Sequence, residues 1–162
     1  LIRGLTEKMP GVDLKIWGPG WRRSDAAVQR HWQGRSVYGD ELALVYCSAK
    51  INLGLLSEAG GGPGAGGDTT TARSWQIPAC GSFMLHEYTD ELATYFAPDR
   101  EVACFRDAED LIRQAQYWLA HEKERKAVAE AGHERFLKEK YTYDEAAENI
   151  LDYHEIMKGG GR

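Results

Sequence analysis

The sequence predicts an α/β fold: a Rossmann-like parallel sheet flanked by helices. Three observations carry this. Strand-length apolar runs alternate with helical stretches almost throughout, the pattern of βα units with crossover connections. INLGLL (51–56) and SFMLHE (82–87) are near-continuous apolar runs, as expected of strands covered on both faces. Three helix patterns in succession close the chain. A length of 162 residues suits one domain with a real core, taken as residues 1–158, with 159–162 as a disordered tail.

In chain order, Leu1 to Met9 reads as the end of a helix, closed by Pro10 and Gly11. Val12 to Gly18 alternates apolar and polar residues before a GPG turn and reads as the first of four strands. Arg22 to Gln33 is polar and irregular, and SVYG (36–39) is a short candidate strand. Asp40 is an expected N-cap for a helix running to about Ala49. After the second strand, INLGLL, a helix is expected over about Thr70 to Cys80, with Pro78 awkward inside it. SFMLHE is the third strand, Glu91 to Phe96 a short helix and EVACF (101–105) the fourth strand. Leu111, Ile112, Ala115, Trp118 and Leu119 line one face of the next helix, with Asp107 as its N-cap. EKERKAVAEAGHERFLKEK is a charge-paired helix. In the last, Tyr143, Ala146, Ala147, Ile150, Leu151, His154 and Met157 share a stripe, on which His154 reads as a packed or rim histidine.

Composition narrows the function. A net charge of −5 argues against non-specific nucleic-acid binding. No apolar run approaches the roughly 20 residues of a membrane span. LIRGLTEKMP has no signal-peptide core, and the absence of an initiator Met suggests part of a longer protein. Cys47, Cys80 and Cys104 form no CxxC pair, and the five histidines are scattered. No metal site is expected, and the cytoplasm is the expected compartment.

The most informative stretch is GGGPGAGG (60–67), running into Asp68, three threonines and a helix. A Gly-rich loop feeding a helix start offers backbone N–H groups and a positive dipole end to an anion. It is equally the composition of a floppy linker, and no phosphate-loop motif is present. A nucleotide carrying a diphosphate needs donors, a positive charge, hydroxyl acceptors and a flat surface for its base. Gly66, Gly67 and the amides of Thr69, Thr70 and Thr71 are the candidate donors. Arg73 is the candidate phosphate contact, with pairing to Asp68 or Glu87 as its alternative. Asp68 and Gln76 are the candidate acceptors. Gly20 and Trp21, in the loop after the first strand, are the candidates beside the base, with simple packing as the alternative for Trp21. Arg22, Arg23, Arg30 and Arg35 form a loose basic group, read as solvated surface.

The run TTTARSWQIPACGSFMLHEYTDELATYF, with EVACFRDAEDL and EAGHERFLKEKYTY, resembles the C-terminal half of group-1-like glycosyltransferases of the GT-B fold. The likeness covers about Leu14 to Leu151 and looks closest to the branch that includes the CgeB spore-maturation proteins. It implies one half of an enzyme that lacks its usual first strand. This half would bind a nucleoside diphosphate sugar without metal or other cofactor. A missing N-terminal domain would bring the acceptor. In that family a Glu-x7-Glu motif holds the donor; here Asp68 and Gln76 stand at its two positions. The resemblance assigns no catalytic residue, since the general base lies in the other domain, so His86 and Glu87 carry no such role. The isolated chain is expected to be folded, inactive in transfer, and a candidate for self-association through the last helix. A non-catalytic nucleotide-binding or structural, spore-associated module is the competing implication.

Overall fold

The computed structural model describes residues 1–56 and 67–159. The expectation of a mobile loop over 60–67 falls, except for Gly67, outside the described residues; so does the tail beyond Gly159.

Helix α1 (Ile2–Lys8) opens the chain. A 3₁₀ turn (Gly20–Arg23) and α2 (Ala26–Gln29) follow, the latter capped by Asp25, whose side chain accepts from Val28 N–H at 3.1 Å. Then come α3 (Gly39–Ser48), β1 (Asn52–Gly54), α4 (Ala72–Ala79), β2 (Met84–Glu87) and α5 (Asp90–Tyr95). The chain ends with β3 (Ala103–Phe105), α6 (Ala108–Ala120), α7 (Glu122–Lys138) and α8 (Tyr143–Gly159). The strands form one parallel sheet in the order β1-β2-β3.

Side chains alternate across a strand, so the sheet feeds two apolar layers. Phe83, Leu85, Ala103 and Phe105 meet α1, α6 and Val128 of α7 on one face. Met84 and Val102 join Tyr46 of α3, Ile77 of α4, and Leu92 and Phe96 on the other. Trp75 is half-buried in that second layer, edge-on to Tyr95 and Tyr141. The expected stripe on α6 is the buried one, and Asp107 caps it, accepting from Asp110 N–H at 2.8 Å.

Five expectations are corrected. Val12 to Gly18 is no sheet strand. Ile16 makes an isolated parallel bridge to Trp32, exchanging its N–H and C=O with His31 and Gln33. Alternation was right about an extended segment, but the pairing groups of Ile16 are satisfied by the turn that follows, and Gly18 at φ 121° turns the chain away. SVYG is no strand; Tyr38 is the extended N-cap of α3, which places Asp40 in the first turn, where its charge suits the helix dipole. Arg22 to Gln33 is not irregular, since the 3₁₀ turn and α2 lie in it. The stripe on α8 is unburied: Ile150 is 69 % and Ile156 70 % exposed, and His154 is exposed rather than packed. Finally, α8 continues through Gly159, the first residue assigned to the tail.

Candidate functional site at the carboxyl ends of the strands

β1, β2 and β3 are parallel, so their carboxyl ends share one edge of the sheet, where open α/β folds bind ligands. The start of α4 is the centre of it. Thr71 is the extended N-cap, and its N–H donates to Ser74 Oγ at 3.0 Å, one arm of a capping box. Ser74 N–H turns to the Thr71 carbonyl at 2.9 Å. That leaves Thr71 Oγ1 buried without a well-aligned partner among the described residues. The N–H groups of Ala72 and Arg73 likewise have no partner among the described residues.

Arg73 folds back onto the sheet. Its Nη2 donates to the Leu55 carbonyl, just past β1, at 2.5 Å. One of its five guanidinium donors is thereby engaged, and among the described residues its other N–H groups make no hydrogen bond. Neither Asp68 nor Glu87 pairs with it among the described residues; Glu87 Oε2 instead takes Leu56 N–H at 3.5 Å. Gln76, one turn further along α4, is half-buried, and its Oε1 accepts from Tyr46 O–H at a long 3.5 Å. Burial pushes the Tyr46 phenol up, opposed by the Arg73 charge, so Arg73, Gln76 and Tyr46 share one neighbourhood.

Behind them lies a buried pair, Ser74 and His86, both fully excluded from solvent. Ser74 Oγ stands 2.8 Å from His86 Nε2, and His86 Nδ1 stands 2.6 Å from the Glu87 carbonyl. Burial depresses the His86 imidazole below its ordinary value; the Glu87 hydrogen bond opposes this, and Arg73 adds to it. The ring is neutral at pH 7.

The other sequence candidates lie around this centre. Thr69 is tied to α5: its hydroxyl donates to Glu91, and its carbonyl accepts from Thr89 Oγ1 at 2.9 Å. Asp68 is exposed, and Gly67 and Thr70 are half-buried. Gly20 is exposed, and Trp21 packs with the core on the α1 and α6 face, the layer opposite Trp75 and Ile77. The two sets meet at Leu55, whose side chain joins the Trp21 layer while its carbonyl holds Arg73. The four arginines of the basic group are exposed; Arg35 pairs with Glu41 and covers Trp17. Sequence reading missed Ser74 and Tyr46. The box spacing Thr71-x-x-Ser74 was visible, whereas nothing local marks Tyr46.

Two surface hollows lie elsewhere. One of about 550 Å³ is lined by Ala120 to Glu124 and Lys126, the other of about 290 Å³ by Arg100, Glu101, Ala131, Glu134, Arg135 and Lys138. The first is where α6 ends and the second beside the entry to β3, so both sit at the amino edge of the sheet. No cluster of three metal-ligating side chains occurs among the described residues. None of the described helices is long and apolar enough to cross a membrane.

A parallel sheet between two helical layers, with a helix start and an arginine at its carboxyl edge, defines a Rossmann-like α/β domain. The chain belongs to the glycosyl transferase-like family, whose model matches residues 1–152. It is similar in fold to sucrose-phosphate synthase from Thermosynechococcus elongatus, with a TM-score of 0.72 at 16% identity. That match takes in 99% of this chain and 43% of the other, so the chain spans less than half the length of that protein and shares the fold of the part it covers. No curated protein matches the chain.

Proposed function

We propose that this chain is the donor-binding domain of a glycosyltransferase that moves a sugar from a nucleoside diphosphate sugar to an acceptor held by a second domain. The observation that carries the reading is Arg73. It stands at the first turn of α4, anchored to the Leu55 carbonyl at 2.5 Å, with unpartnered N–H groups beside it among the described residues. That set suits a diphosphate, which takes charge-assisted bonds in pairs. When the sugar leaves, negative charge builds on the diphosphate. A fixed guanidinium and helix start stabilise it without reorganisation, which is compatible with the metal-independent chemistry that the resemblance implies. The carbonyl of Gln76, only weakly held by Tyr46, accepts from a sugar or ribose hydroxyl, and Asp68 does so from the loop. Trp21 and Gly20 remain the candidates for the base side.

The test is calorimetry with UDP, GDP, ADP and dTDP on wild type and Arg73→Ala. Loss of a charge-assisted bond of about 1.5–3 kcal/mol predicts binding roughly 10- to 150-fold weaker in the variant. Equal affinity, or no binding of any of the four by wild type, overturns the reading. One observation favours the competing, non-catalytic module: Gln76 stands where the family usually places a carboxylate. Transfer from a nucleotide sugar by the full-length protein would dismiss that alternative.

A further inference from the structure

Ser74 and His86 have no place among the ligand contacts proposed above, yet both are polar and fully buried. Such groups are costly unless every bond is made. Here only one arrangement of protons makes them all. The Glu87 carbonyl carries no hydrogen, so His86 Nδ1, 2.6 Å away, must be the protonated nitrogen. A neutral ring has a single N–H, which leaves Nε2 bare. Ser74 therefore donates its hydroxyl hydrogen to Nε2 at 2.8 Å, and its lone pairs receive Thr71 N–H at 3.0 Å. The result is a one-way chain of three hydrogen bonds: Thr71 N–H to Ser74 Oγ, Ser74 O–H to His86, His86 N–H to Glu87.

The sheet is built to admit this ring. Gly54 pairs with His86 in the register of β1 and β2, and a Cβ at Gly54 would fall 2.2 Å from His86 Cδ2. From β3 the register neighbour is Cys104. From α4 come Ser74 and the charge of Arg73. The chain thus runs from the middle of the sheet to the N-cap of the helix whose first turn carries Arg73.

We infer that Ser74 and His86 act as a buried latch, positioning residues that fix the aim of the Thr71 to Arg73 backbone and so set the affinity of this edge for the diphosphate of a nucleotide. The inference rests on the donor-site reading above. Without the latch, the peptide units that face the ligand lose their anchor, while Arg73 itself remains. Affinity falls by about the value of one net hydrogen bond, three- to tenfold, rather than by the larger factor expected for Arg73→Ala.

Two measurements test it. The first uses wild type alone: side-chain ¹⁵N NMR of His86 should show a protonated Nδ1 and a bare, accepting Nε2. The opposite tautomer, or a solvent-exchanging ring, overturns the latch. The second compares wild type, Ser74→Ala and Arg73→Ala for binding of UDP, GDP, ADP and dTDP, alongside thermal unfolding and the Thr71 amide signal. Ser74→Ala should stay folded, shift the His86 Nε2 and Thr71 resonances, and bind three- to tenfold more weakly. If it unfolds, Ser74→Cys replaces it, since a thiol is a poor donor. Binding by wild type that weakens in Arg73→Ala but not in the Ser74 variant overturns the latch alone. Binding of none of the four by wild type overturns the donor reading and this inference with it.

Discussion

Replacing Gly54 by Ala is the sharpest single test of how this site is assembled. The new Cβ would meet His86 Cδ2 at 2.2 Å, Cγ at 2.7 Å and Nε2 at 3.0 Å. The ring cannot swing aside cheaply, because both of its nitrogens are engaged and it is fully buried. Forcing a methyl into a packed interior costs about 1–3 kcal/mol. If the ring yields, the Ser74 bond goes with it, for about 0.5–1.5 kcal/mol more. The expected loss is therefore roughly 2–4 kcal/mol, a large share of the 5–15 kcal/mol typical of a domain. At about 2–4 °C per kcal/mol for a chain of this size, the melting point should fall by some 4–16 °C. Circular dichroism measures the first by urea unfolding and the second by thermal unfolding. The cause is isolated by repeating Gly54→Ala in a His86→Ala background, where the clashing ring is gone and the cost should shrink by at least about 1 kcal/mol. A wild-type-like midpoint for Gly54→Ala, or the same cost with and without the ring, would refute this account.

Three further outcomes follow from the same structure. His86 has a folded-state pKa below its ordinary 6.5, so the unfolded chain takes up the proton first as pH falls. Stability is complete above 6.5, drops below it by up to about 1.4 kcal/mol per pH unit, and levels off under the folded value. Denaturant midpoints between about pH 7.5 and 5.5 should show that slope in wild type and lose it in His86→Gln; identical profiles would count against a buried neutral ring. Burial pushes the Cys104 thiol up to about 12, while Cys47 is exposed, so a disulfide reagent should label Cys47 quickly and Cys104 only on unfolding. Removing residues 143–162 should leave the free energy of unfolding, from urea titration, within about 0.5 kcal/mol of wild type, since the described side chains of α8 are exposed apart from a half-buried Glu145; a large loss would mean that α8 packs on the domain after all.

The local code of the chain decided much of this. Alternating strand and helix patterns give the α/β class because a strand covered on both faces is apolar throughout, and that shows in six residues of sequence. Asp107 and the Leu111–Ala115–Trp118 stripe were legible for the same reason, since a cap and a 3.6-residue period are properties of one helix. Arg73 was legible because an arginine one residue into a helix, after glycines and threonines, needs no distant partner to be conspicuous. What neighbours decide was not legible. The segment around Ile16 has the alternation of a strand, but whether it joins the sheet depends on what pairs with it, and His31 and Gln33 were there first. The stripe on α8 shows which residues share a face, not whether anything covers that face. The latch was the least visible, because it joins Gly54, Ser74 and His86 from three elements. Only the parallel register of β1 on β2, and the seating of α4 above them, puts a ring over a glycine and a hydroxyl against its nitrogen.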